Sequence, residues 1–138
     1  LKLLLSHDSF HELILGTESS KKGIRGALEA LTKKNVLFYL SLSALEGILA
    51  SESDSVKKEI LWTQSKSFFA DLLPLRKEEI SLALKLSISK ELDWKNWTDI
   101  ALASLLDLDG VLAKDPIYRK QSLIKVLLAQ EIDLDGFA

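Results

Sequence analysis

The clearest pattern in the chain is a set of short apolar runs separated by longer amphipathic stretches. Lys2–Leu5 is apolar and stops at Ser6-His7-Asp8-Ser9. Its length predicts a buried strand, and Asp8 or Ser9 is placed to cap a helix running through Leu15. Gly16 to Ser20 reads as a turn. Lys21 to Lys34 carries Ile24, Ala27, Leu28 and Leu31 on one stripe, which predicts a helix that Asn35 stops. Val36 to Leu40 is apolar, β-branched and aromatic. A run without polar alternation predicts a strand buried on both faces, as in a parallel sheet.

The second half repeats the alternation. Ser43 to Ala50 reads as a helix, Ser51 to Ser55 as a polar break, and Val56 to Ala70 as a second amphipathic helix. Leu72 to Leu75 is a short strand that Pro74 assigns to a sheet edge, because proline cannot donate to a ladder. Lys77 to Glu91 reads as a helix, with Glu78 and Glu79 early and Lys90 late, as the helix dipole favours. Asp93 to Asn96 is a loop, Trp97 to Leu106 a helix, Asp107 to Gly110 a turn and Val111 to Ala113 a strand. Ser122 to Ala129 fits strand or helix, and the chain is acidic from Glu131. Strands alternating with helices predict an α/β fold, a three-layer α/β/α sandwich around a mostly parallel sheet. The abundance of leucine, a good helix former, leaves an all-α bundle as the alternative.

Composition narrows the chemistry. The 138 residues suit a single domain, 1–138, able to bury a sizeable core. With no cysteine, a disulfide scaffold, a thiolate zinc site and a cysteine nucleophile are excluded, which fits a reducing, cytoplasmic compartment. The net charge of −2 argues against non-specific grip on a nucleic-acid backbone, which needs many cations. No apolar run approaches the roughly 20 residues of a membrane span. Since the chain contains no methionine, Leu1 need not be the translated start.

Three acids occupy unusual places. Glu46 has Leu42, Leu49 and Ala50 as helical neighbours, and Asp99 heads the stripe Leu102, Ala103 and Leu106. Asp115 follows a strand and precedes Pro116. Parallel sheets bind ligands at the carboxyl ends of their strands. Carboxylates converging there need a neutralising cation, and an oxygen-only set favours Mg²⁺ or Mn²⁺. Such an ion activates water and clamps a phosphodiester.

At these residues the sequence resembles a PIN-domain ribonuclease of the VapC-like toxin kind. The resemblance is carried in order by Ser41-Leu42-Ser43-Ala44-Leu45-Glu46, by Leu73-Pro74-Leu75 with the helix after it, by Thr98-Asp99-Ile100-Ala101-Leu102-Ala103, and by Gly110-Val111-Leu112-Ala113-Lys114-Asp115. It implies a Mg²⁺- or Mn²⁺-dependent endoribonuclease with Asp8, Glu46, Asp99 and Asp115 as catalytic and metal-binding residues. It also implies an RNA substrate, a cognate antitoxin protein over the groove, and a homodimer. The sequence departs from the family at Ala113, and at the first acidic position, which falls on Ser6 or, with a two-residue shift, on Asp8. These departures favour the alternative of a PIN-like protein- or RNA-binding module that has lost catalytic strength.

Each residue also has a plainer reading. Asp99 and Asp8 suit helix caps, Asp115 a turn start before proline, and Glu46 a solvated helix face. Asp107 and Asp109 suit a turn, and Asp133 and Asp135 a solvated tail. His7 and His11 have helical metal-ligand spacing but no third nitrogen or sulfur ligand. His7 beside the acids is placed to orient a phosphate or water. Trp62, Trp94 and Trp97 read as core or interface anchors, with Trp62, Phe68 and Phe69 suiting either a partner contact or the core. Lys114, Arg119 and Lys120 read as phosphate contacts or as a solvated basic surface.

Overall fold

A computed structural model describes residues 1–132; Asp133 and Asp135 lie outside the described residues. The expected α/β fold is present. Five parallel strands are β1 (Lys2–Leu5), β2 (Leu37–Ser41), β3 (Asp71–Leu73), β4 (Gly110–Ala113) and β5 (Val126–Leu128), in the order β3-β2-β1-β4-β5. The helices are α1 (His7–Leu15), α2 (Glu18–Thr32), α3 (Leu42–Ala50), α4 (Ser55–Ser65), α5 (Lys77–Leu86) and α6 (Trp94–Leu105). They form a three-layer sandwich. Side chains of α1, α2 and α3 share one core with Leu3, Leu5 and Leu112, while those of α5 and α6 share the other with Leu4 and Val111. Successive residues of one strand thus feed opposite cores, so the central strands are apolar throughout.

Element boundaries shift where capping overrides periodicity. Ser6, rather than Asp8 or Ser9, caps α1 by accepting from the Ser9 backbone N–H, so His7 and Asp8 fall in the first turn. Thr17 caps α2 in the same way and starts it earlier than the apolar stripe suggests. Asn35 ends that segment at φ 63°, a left-handed conformation that Asn tolerates. The helix expected over Val56 to Ala70 ends at Ser65, and the next residues tighten into a 3-10 turn before β3. The helix expected over Lys77 to Glu91 ends at Leu86, followed by a 3-10 turn and left-handed Lys90. Helix α6 begins at Trp94, three residues before the expected start, because the Asn96 side chain accepts from the Asp93 N–H. Asp99 therefore lies inside the helix and does not cap it. The ambiguous segment Ser122 to Ala129 supplies β5, and β3 is an edge strand as expected, though it spans Asp71–Leu73 and ends before Pro74, which cannot donate to the ladder.

The chain passes from β1 outward to β2 and β3, then returns across β1 to place β4 on its other side. The direction of winding reverses between β1 and β4, which opens a crevice at their carboxyl ends. Gly110 permits the close pairing of β4 and β5. A Cβ there would lie 2.8 Å from the Lys125 carbonyl oxygen and 3.3 Å from Leu3 Cδ2. That carbonyl accepts from the Val111 N–H and cannot retreat without breaking the ladder. Gly110→Ala is therefore expected to destabilise the fold by about 1–3 kcal/mol, the range for overpacking. A urea midpoint equal to that of the parent would show that the ladder yields.

Candidate functional site

The crevice is filled by a hydrogen-bonded network centred on Asp99. Helix α6 is buried from Asn96 to Ala103, and it projects the Asp99 side chain, fully enclosed, toward the end of β1. Its Oδ1 lies 2.7 Å from His7 Nδ1. Its Oδ2 accepts from the His7 backbone N–H at 2.9 Å and from the Tyr118 hydroxyl at 2.7 Å. A carboxylate only accepts, so His7 Nδ1 carries a proton, and in the neutral imidazole Nε2 then keeps a lone pair. That Nε2 lies 3.0 Å from Ser43 Oγ, which in turn lies 2.9 Å from Ser41 Oγ. Burial, with the charges of Asp99 and Asp8 behind it, pushes the Tyr118 phenol far above its ordinary value, so it stays protonated as a donor.

Asp8 belongs to an adjoining cluster. Its carboxylate takes a hydrogen bond from the Ser6 hydroxyl and another, at 2.6 Å, from the Asp115 backbone N–H. This second bond ties the start of α1 to the end of β4. Burial holds the Asp8 carboxyl above its ordinary value of 3.8, and the nearby charge of Asp99 adds to the effect, against the lowering by these hydrogen bonds. The Asp115 side chain instead caps the next turn, accepting from the Ile117 N–H at 2.9 Å. Its turn-starting role is thus the one seen.

The expected set of four acids does not form. Asp8 and Asp99 approach one another and Asp115 joins through its backbone, but Glu46 is exposed and does not line the crevice. The face of α3 turned to the crevice carries Ser43, Ala44, Gly47, Ile48 and Ser51. Helical spacing explains this: Glu46 lies off the stripe that Ser43 and Gly47 share. The oxygens of Asp99 and Asp8 already accept from protein donors. Among the described residues no group of three or more His, Cys, Asp or Glu side chains is placed to hold a metal ion. The carboxylate oxygens that a Mg²⁺ or Mn²⁺ ion would need are thus engaged with protein donors in this arrangement. His11 is exposed, so the pair with His7 gives no metal site either.

The remaining candidates resolve as structure. Lys114 pairs with Glu12 at 3.2 Å, and Arg119 with Glu131 at 2.6 Å, which lowers the Glu131 pKa. Lys120 is exposed. Trp62 and Phe69 meet at a tilt of 46° with centroids 6.2 Å apart, and with Phe68 they pack, partly buried, on the α1–α3 core. Trp97 is buried and Trp94 is exposed.

No family model matches the chain, and no curated protein matches it. Solved structures do. A chain of VapBC2 from Rickettsia felis, bound to a DNA fragment from their promoter, is similar at TM-score 0.69 and 14% identity, over 93% of this chain and 98% of that one. A chain of FitAcB from Neisseria gonorrhoeae is similar at 0.68 and 18%, over 94% and 99%. A toxin–antitoxin complex from Klebsiella pneumoniae gives 0.67 and 15%, over 94% and 99%. At such identities the likeness establishes the fold alone. These findings correct the sequence-based assignment to the PIN-domain ribonucleases. No family model supports it, and these neighbours are described as a toxin–antitoxin complex, as FitAcB, and as VapBC2 and FitAB bound to DNA fragments, not as ribonucleases. Metal-dependent RNA hydrolysis is not retained as this chain's function.

Sequence reasoning passed over Ser43, Ser41 and Tyr118. The available signal was positional: Ser6-His7 and Ser41-Leu42-Ser43 each fall at the carboxyl end of a strand. The raised pKa of Asp8 yields a test. Its ionisation is less favourable in the folded than in the unfolded chain, so stability falls as pH rises from below 3.8 through the folded pKa. Asp8→Asn keeps an acceptor for the Asp115 N–H and removes the charge. The parent's urea midpoint is expected to fall relative to that of Asp8→Asn across that window, the other carboxylates contributing equally to both. Parallel curves would show that the charge is not strained.

Proposed function

We propose that this chain works as the α/β subunit of a two-protein assembly of the toxin–antitoxin type. The observation that carries the reading is an outward apolar row on the α5 side of the sandwich. Ile80 and Leu84 are four apart on α5, and Ile88 follows in the 3-10 turn after it; they are 39%, 57% and 78% exposed. On the same helix Ala83 is fully buried and faces the core shared with α6. The row therefore has no partner within the chain's described residues. Large apolar side chains in a continuous row are costly in water and mark protein contacts. The fold likeness to chains of VapBC2, FitAcB and the Klebsiella complex supports a protein partner.

The partner would bring an apolar helix face to this row. DNA, where the assembly meets it, would be gripped by the partner, because this chain's net charge is −2. No helix among the described residues is long and apolar enough to cross a membrane.

Capture of a binding protein by the tagged full-length chain from its source cells, followed by sedimentation of the purified pair, tests the assembly. Leu84→Glu places a charge at the centre of the row. It is expected to cost about 2 kcal/mol of association, a typical loss for a central contact, or roughly 30-fold in affinity. A Leu84→Glu protein that folds and assembles with unchanged affinity would overturn the reading.

A further inference from the structure

The Asp99–His7–Ser43 chain lies at the carboxyl ends of the strands, where α6 meets the starts of α1 and α3, and nothing in the proposed assembly uses it. Ser43 Oγ, His7 Nε2, His7 Nδ1 and Asp99 Oδ1 form one continuous relay with spans of 3.0 and 2.7 Å. These are the distances at which a base takes a proton from a hydroxyl and a carboxylate fixes the base's tautomer. The three residues come from the starts of α3 and α1 and the middle of α6, so the relay depends on the fold and not on local sequence.

The surroundings suit a reaction as well as a hydrogen bond. Asp99 is fully enclosed, whereas the His7 side chain is 15% exposed. Both His7 and Ser43 line an open groove of about 470 Å³. Leu15, Ala44 and Ile48 give this groove an apolar wall, and Lys95 stands at its edge. Ser43 lies in the first turn of α3. The cap residue Ser41 accepts from no backbone N–H of that turn, its hydroxyl meeting the Ser43 hydroxyl instead. The backbone N–H groups of Ser43 and Ala44, which have no carbonyl within the helix to meet, are the donors available to a developing oxyanion beside Oγ.

We propose that Ser43 is a nucleophile, His7 its general base and Asp99 the positioning residue of a second, hydrolytic site for small carboxylic esters. In acylation the Ser43 Oγ–carbonyl bond forms as the hydroxyl proton passes to His7 Nε2. The bond from the carbonyl carbon to the alcohol oxygen then breaks, and His7 returns the proton to the leaving alcohol. In deacylation water attacks the acyl group with His7 again taking the proton. Ser43 regains it as the carboxylic acid leaves. No redox partner or cofactor enters the balance.

A fluorophosphonate tests this directly, since its reaction forms a Ser–phosphorus bond and expels fluoride. The full-length parent is expected to gain one phosphonyl group, mapped by mass spectrometry to Ser43, at least about 100-fold faster than Ser51 in the same groove. His7→Gln is expected to slow it about 100-fold or more, the usual worth of a general base. Should His7→Gln lose its native circular dichroism, carbethoxylation of His7 in the folded His11→Gln protein replaces it. The parent is also expected to release p-nitrophenol from p-nitrophenyl acetate with acetyl trapped on Ser43, and Ser43→Ala to trap none. A folded parent left unlabelled at Ser43, or labelling that survives the loss of His7, overturns the proposal. Either result leaves the assembly through Ile80, Leu84 and Ile88 untouched.

Discussion

The enclosed carboxylate of Asp99 is the constraint to which the rest of the crevice answers. A carboxylate removed from water is expensive unless its lone pairs are met. Here three donors meet it: the His7 backbone, the His7 ring and the Tyr118 hydroxyl. They arrive from the end of β1 and from the turn after β4, while Asp99 itself arrives on α6. One side chain thereby pins three separate stretches of chain at the point where the sheet reverses its winding. The same demand sets the His7 tautomer, which in turn points a lone pair at Ser43.

The fold supplies that geometry for reasons visible in individual residues. Leu3, Leu4 and Leu5 are buried to both sides, so β1 must be central and its end must lie within the crevice. Ser6 halts the strand and caps α1, which turns the chain sharply and presents His7. Asp8 then closes the other flank by holding the Asp115 N–H. Apart from Asp99, which lies inside α6, these polar groups sit where a strand ends, and each is met by a group from another element.

Much of the architecture was legible in the sequence. Val36 to Leu40, Val111 to Ala113 and the proline at position 74 placed two buried strands and one edge. The stripe Ile24, Ala27, Leu28 and Leu31 placed α2. Boundaries moved where a single hydrogen bond decided them: Ser6 and Thr17 through their hydroxyls, Asn96 through its amide. The candidate site was legible only in part. Asp99 and Asp8 were singled out, but as members of a four-acid set. Periodicity gives a residue's face only when the helix phase is known, and the phase of α3 turns Ser43 and Gly47 to the groove and Glu46 away from it. Asp99 looked like a cap because the start of α6 depends on the Asp93–Asn96 bond, which the apolar stripe does not register. Tyr118 carried no pattern at all, since its role arises from a contact across the fold.

The protonation of His7 is the most direct probe of this account. Long-range proton–nitrogen NMR correlations of the folded chain report which ring nitrogen carries hydrogen. A carboxylate held as described requires the proton on Nδ1, with Nε2 resonating as an unprotonated acceptor, and Asp99→Asn should disturb that preference. A His7 ring protonated on Nε2, or one indifferent to Asp99, would contradict the arrangement on which the crevice is built.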